Sequence, residues 1–92
     1  MTDIEMTQRL QKLLDLAEAQ FAAARIASLV AHRDLGTALA LKEAAFQRVD
    51  YAAYAIAEDL QEEAYDLFHF TDVKLKEAQI ALDFATRIFL EG

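Results

Sequence analysis

Residues 10–31 read LQKLLDLAEAQFAAARIASLVA. Leu10, Leu14, Ala17, Phe21, Ala24, Ser28 and Ala31 recur there at steps of three and four, the spacing that lines one face of an α-helix. Upstream, Thr2-Asp3-Ile4-Glu5 has the form of a capping box, with Thr2 as the cap and Glu5 three residues on. Downstream, His32 and Arg33 suit a last helical turn, and Gly36 suits the left-handed residue that follows one. The first helix is therefore expected to end near Asp34.

The rest of the chain reads the same way. A second helix is expected from about Thr37 to Phe70, with Leu41, Ala45, Val49, Ala52, Ile56, Leu60 and Leu67 on its inner face. Thr71 or Asp72 can cap a third helix reaching about Leu90, with Leu75, Ala78, Leu82, Ala85 and Phe89 inside. The first two helices would each have roughly 30 residues, about 45–50 Å at 1.5 Å per residue. The third, a little over half as long, would cover only the distal half of their hairpin. The end near Gly36, roughly Phe21 to Phe46, would stay uncovered.

Composition agrees with an all-α chain forming one domain over residues 1–92. There is no Pro and only Gly36 and Gly92, which permits long helices and leaves few turn residues for a β fold. Hydrophobic residues make up 55% of the chain, too many for a disordered segment. The absence of Cys excludes a disulfide framework and a thiolate metal site. No signal-like segment and no apolar run of about 20 residues is seen, so a soluble, cytoplasmic protein with no membrane contact is expected.

Polar residues thin out at the expected uncovered end. Between Phe21 and Ala31 the sole charge is Arg25, and Ile26, Leu29 and Val30 point away from the Phe21/Ala24/Ser28 stripe. A helix that is apolar on two sides is buried on two sides. Frequent alanines allow close helix approach, and an exposed apolar patch marks an interface. The expectation is a homodimer, a dimeric helical bundle joined through Phe21, Arg25, Ile26, Leu29, Val30, Leu39 and Phe46.

The formal charge of −7 is local. From Val49 to Val73 there are seven acids, Asp50, Glu58, Asp59, Glu62, Glu63, Asp66 and Asp72, and no Lys or Arg. The remaining nine acids and nine bases cancel. With a pI near 4.6 the chain lacks the basic patch that direct nucleic-acid binding needs. Glu58, Asp59, Glu62, Glu63 and Asp66 share one arc of a helical wheel, as a solvated face would. The same arc can serve a basic protein surface, with Glu58, Asp59, Glu62 and Asp66 steering encounter and Tyr54 and Tyr65 as rigid anchors. Glu58, Glu62, Asp66 and His69 lie along one ridge, but they point away from the leucines and the chain lacks the paired Glu-x-x-His of bundle metal sites. No metal or other cofactor is expected.

Two short stretches resemble enzyme families. Glu63-Ala-Tyr-Asp66 resembles the ExxD half of the signature of MazG-type nucleotide pyrophosphohydrolases, with Glu43-Ala-Ala-Phe-Gln47 in the place of the EExxE half. That resemblance implies a magnesium-dependent, dimeric all-α enzyme cleaving nucleoside triphosphates. Ala31-His32-Arg-Asp-Leu-Gly36 resembles the AHxLKG segment of histidine phosphotransfer domains, with Asp34 and Leu35 at the family's apolar and Lys positions. It implies a phosphoryl carrier using His32. The spacing of Arg25 and His32 is similar to the Arg–His pair of helical ribonuclease toxins. The leading expectation is a small acidic interaction module (a regulator, adaptor or inhibitor) with no catalytic residues.

Overall fold

A computed structural model describes residues 3–91 of the chain, so the Thr2 cap lies outside the described residues. The chain is all-α with two long helices, α1 (Asp3–Gln47) and α2 (Tyr51–Glu91). Only Arg48, Val49 and Asp50 among the described residues lie outside them.

Gly36 does not end a helix. It lies inside α1, has no positive φ, and a Cβ added there would meet nothing within 4 Å. Thr71 and Asp72 do not begin one either. Thr71 is buried inside α2 and donates to the Phe68 carbonyl 3.0 Å away, one turn back in its own helix. The expected second and third helices are thus one helix, displaced at its start by fourteen residues from Thr37 to Tyr51.

The real reversal is a helix stop and a helix start sharing three residues. Val49 takes a left-handed conformation, φ 54°. Its N–H donates to the Phe46 carbonyl at 3.1 Å, and the Asp50 N–H donates to the Ala45 carbonyl at 3.0 Å. These are the two bonds of a Schellman stop, with Val49 where glycine is usual. Asp50 then caps α2: its Oδ1 accepts from the Ala53 N–H at 3.0 Å, and its carbonyl accepts from the Tyr54 N–H at 2.9 Å.

The chain forms two units, one of Met1–Ile26 with Val73–Gly92 (unit 1) and one of Ala27–Asp72 (unit 2). In each, α1 and α2 run antiparallel. In unit 1 the seam uses Leu10, Leu14, Ala17, Phe21 and Ala24 against Leu75, Ala78, Leu82, Ala85 and Phe89, all buried or half-buried. These are the faces the periodicity assigns. In unit 2 the seam uses Ser28, Ala31, Leu35, Ala38, Lys42 and Ala45 against Tyr54, Ala57, Gln61, Ala64, Phe68 and Thr71.

Steps of three and four persist along both helices, a 3.5-residue period that selects left-handed coiled-coil packing. Alanine falls at every seventh position from Ala17 to Ala45. It falls at every seventh from Ala57 to Ala85 too, with Thr71 in the one remaining place. Small side chains at these positions let the two backbones approach closely.

The inner face expected for residues 41–67 is corrected by this seam. Of its members only Ala45 is buried; Leu41, Val49, Ala52, Ile56, Leu60 and Leu67 are exposed. The seam of unit 2 is built mostly of small and polar residues, with Leu35, Tyr54 and Phe68 its large side chains, while Leu41, Ile56, Leu60 and Leu67 lie outside it. A third helix packed on the first two is therefore absent from the described residues.

Candidate functional site

Within unit 2 the two flanks of the seam differ in chemistry. On one flank, Lys42 reaches out of the seam. Its Nζ donates to Gln61 Oε1 at 3.1 Å, lies 3.7 Å from Glu58 Oε1, and sits 5.3 Å from the centre of the Tyr54 ring. Glu58, Glu62 and Tyr65 complete this shallow polar groove. The one cation in the groove is thus held by an amide, a carboxylate and an aromatic face from α2.

The acids beyond it face solvent. Asp59, Glu62, Glu63 and Asp66 are exposed, as the wheel requires. Tyr65 is exposed too, and its ring meets His69 edge-on at 4.4 Å. Tyr54 is half-buried at the seam end, 6.4 Å from Phe46 between ring centres. Glu58, Asp59, Glu62, Asp66, Tyr54 and Tyr65 therefore share one helix, but Tyr54 belongs to the seam and the other five lie outside it. No group of three or more His, Cys, Asp or Glu residues that could hold a metal ion occurs among the described residues.

On the other flank lies a groove of about 340 Å³. Ala38 and Ala64 form its floor, Leu41, Leu60 and Leu67 its walls, and Asp34, Thr37 and Glu63 its polar positions. This is where the leucines assigned to the core of the second helix go. The hairpin end carries a further cavity of about 510 Å³, lined by Ala45, Phe46, Val49, Asp50, Tyr51 and Tyr54.

The residues expected to join two copies are divided between the two units. Phe21 is half-buried in the seam of unit 1, while Arg25 and Ile26 of that unit are exposed. In unit 2, Leu29, Val30, Leu39 and Phe46 are exposed, but Leu39 and Phe46 border the Lys42 side with Tyr54. Val30 is seven residues from Thr37 and so falls on the opposite, apolar flank.

The residues behind the enzyme resemblances are likewise separate. Glu63 is exposed on the apolar flank, Asp66 faces outward, and Glu43 lies by the Lys42 side. His32 lies mid-helix in α1, where its ring meets Phe68 edge-on at 4.3 Å.

Sequence reading missed Lys42, Gln61 and the apolar flank. The alanine spacing is the signal that finds them: once Ala31, Ala38 and Ala45 are placed in the seam, Lys42 must enter it and Leu41 must leave it. No described helix is long and apolar enough to cross a membrane. Comparison with known protein families, with curated proteins and with solved structures finds no match.

Proposed function

We propose that this chain is a protein-interaction module that works as a homodimer, with its acidic arc offered to a basic protein surface. One observation carries the reading: the usual distribution of side-chain size is inverted. Among the described residues the buried apolar ones are Ala17, Ala31, Ala38, Ala45, Ala57 and Ala85, and no large side chain is fully buried. Twenty-one large hydrophobic residues are exposed among the described residues. Leu41, Leu60 and Leu67 line one groove together, and an exposed apolar patch of that kind marks an interaction site.

The acids of unit 2 stay outside the seam, so an apolar interface leaves Asp59, Glu62 and Asp66 on the free surface, where they can steer a basic partner.

Absolute mass by light scattering at micromolar concentration tests this. Wild type is expected at twice its chain mass of 10.3 kDa, and Leu67→Glu at the chain mass with helix content retained. A wild-type protein that stays monomeric throughout the accessible concentration range overturns the homodimer.

A further inference from the structure

We infer that the apolar groove of unit 2 is filled by the first turns of α1 from a second copy, so that the two copies pair offset rather than like against like. The inference rests on the homodimer proposed above and assigns its contact surfaces.

Charge narrows the occupant to an apolar helix face that carries a cation. Unit 2 has nine acids and three bases, a net −6, whereas unit 1 has seven acids and six bases, a net −1. The groove itself holds Asp34 on α1 and Glu63 on α2, with no Lys or Arg in its lining. If this groove met its own copy, four carboxylates would converge in an apolar contact; Asp34 has the Arg33 guanidinium 3.7 Å away, but the groove's lining offers Glu63 no cation to replace the water it would lose. An apolar helix face carrying a cation has no such conflict.

This chain contains such a face. Met6, Arg9, Leu13 and Leu16 are spaced by three, four and three residues, which places them along one side of α1, with Lys12 on the flank. All five are exposed, and they flank rather than form the seam of unit 1. Met6, Leu13 and Leu16 supply the bulk that the Ala38/Ala64 floor lacks, as knobs over a hole. Arg9 and Lys12 supply the opposite charge to Asp34 and Glu63. The acidic segment of α2 offers no equivalent strip, since Val49 to Val73 contains no Lys or Arg.

Cross-linking separates the possibilities, because the chain has no Cys of its own. Leu16→Cys and Leu67→Cys, both at exposed positions, are mixed and treated with a short bismaleimide. The mixture is expected to give a covalent dimer containing one of each, and neither variant alone should give one in comparable yield. Arg9→Glu should weaken association at low salt at least severalfold, and Glu63→Arg in the same chain should restore it.

Leu67→Cys cross-linking to itself as well as in the mixture overturns the offset pairing in favour of like-on-like contact. No cross-link in the mixture, with wild type still dimeric by mass, overturns this assignment and leaves the homodimer intact. A monomeric wild type whose groove instead binds an added basic amphipathic peptide overturns both, and makes the occupant a different protein.

Discussion

Lys42 Nζ donates to Gln61 Oε1 at 3.1 Å across the seam of unit 2, at a pair of positions where apolar side chains would pack best. Gln61 is half-buried, and the Lys42 side chain keeps 27% of its surface exposed, enough to reach Glu58 and the Tyr54 face. Most of the seam around this pair is alanine, which would pack about as well if one helix slid by a heptad. A polar pair at one level resists that slip, because any other register leaves the ammonium without its acceptor.

Removing one partner is therefore expected to be worse than removing both. Gln61→Leu should destabilise by about 1 kcal/mol, because Lys42 loses a neutral acceptor in a part-buried place. Lys42→Leu with Gln61→Leu should regain most of that loss or exceed wild type, as apolar replacements of buried polar groups often do. Thermal melts of the four members of the cycle measure it. Additive effects within about 0.3 kcal/mol would show the pair to be uncoupled.

Val49 stores strain that its replacement releases. A β-branched residue at φ 54° costs about 1–2 kcal/mol relative to glycine. Val49 is 64% exposed, so little packing is lost by deleting its side chain. Val49→Gly gives back part of the gain through the freedom of the unfolded chain. The net expectation is about 0.5–1 kcal/mol of added stability, or a rise of several degrees in Tm for a domain of this size. A fall in Tm would mean that Val49 is covered by something in solution, with the hairpin-end cavity the place to look.

These two sites also explain how far the sequence could be read. The stripe from Leu10 to Ala31 and the face from Leu75 to Phe89 were legible, because there Leu10, Leu14, Phe21, Leu75, Leu82 and Phe89 share the seam with the small residues and mark its period. Between Leu35 and Phe70 size and burial part company. Leu41, Ile56, Leu60 and Leu67 outweigh Ala38, Ala57 and Ala64 in hydropathy, yet the alanines hold the seam. Hydropathy measures what a side chain gains from leaving water. It does not say which face is covered within one chain and which between chains.

Punctuation misled for a similar reason. Gly36, the chain's one internal glycine, stays helical, while the left-handed stop falls on Val49. Gly36 only costs helix propensity, roughly 1 kcal/mol against alanine. Asp50 caps α2, a role that a helix expected to run unbroken from Thr37 to Phe70 left no place for. As for the candidate site, the exposure of the acids was legible, but Glu63, placed by the wheel on the arc opposite the leucines, instead shares a groove with Leu60 and Leu67. The flank to which Leu41 and Leu67 belong was not legible, because it exists only once the alanine register is fixed.

The seam's alanines should tolerate no enlargement. Ala31 is 1% exposed in the middle of the heptad series, against α2. Ala31→Leu forces three extra carbons between two closely packed backbones and is expected to cost about 1–3 kcal/mol. Ala40→Leu, on the exposed outer side of the same helix, should change stability by less than about 0.5 kcal/mol. Denaturant melts of the two variants compare them directly. Equal stability would show that the helices can move apart at no cost, which contradicts an alanine-set spacing.

Glu62 separates an acidic surface kept for a partner from one that is merely solvated. It stands one turn from both Glu58 and Asp66 on the exposed side of α2. Like charges at this spacing disfavour a helix by about 0.2–0.5 kcal/mol per pair. Glu62→Lys turns two repulsive pairs into attractive ones, with Glu58 on the favourable N-terminal side. The variant is thus expected to melt a few degrees above wild type at low salt. The gap should shrink at 1 M salt, where the screening length falls to about 3 Å. If the arc serves a basic protein, the same substitution should weaken capture of that protein, and added salt should weaken wild-type capture in parallel. Stability and binding would then move in opposite directions, as they do where a surface is shaped for a partner at the expense of the fold. A variant that is more stable and binds every wild-type partner equally well would leave the arc with no role beyond solvation.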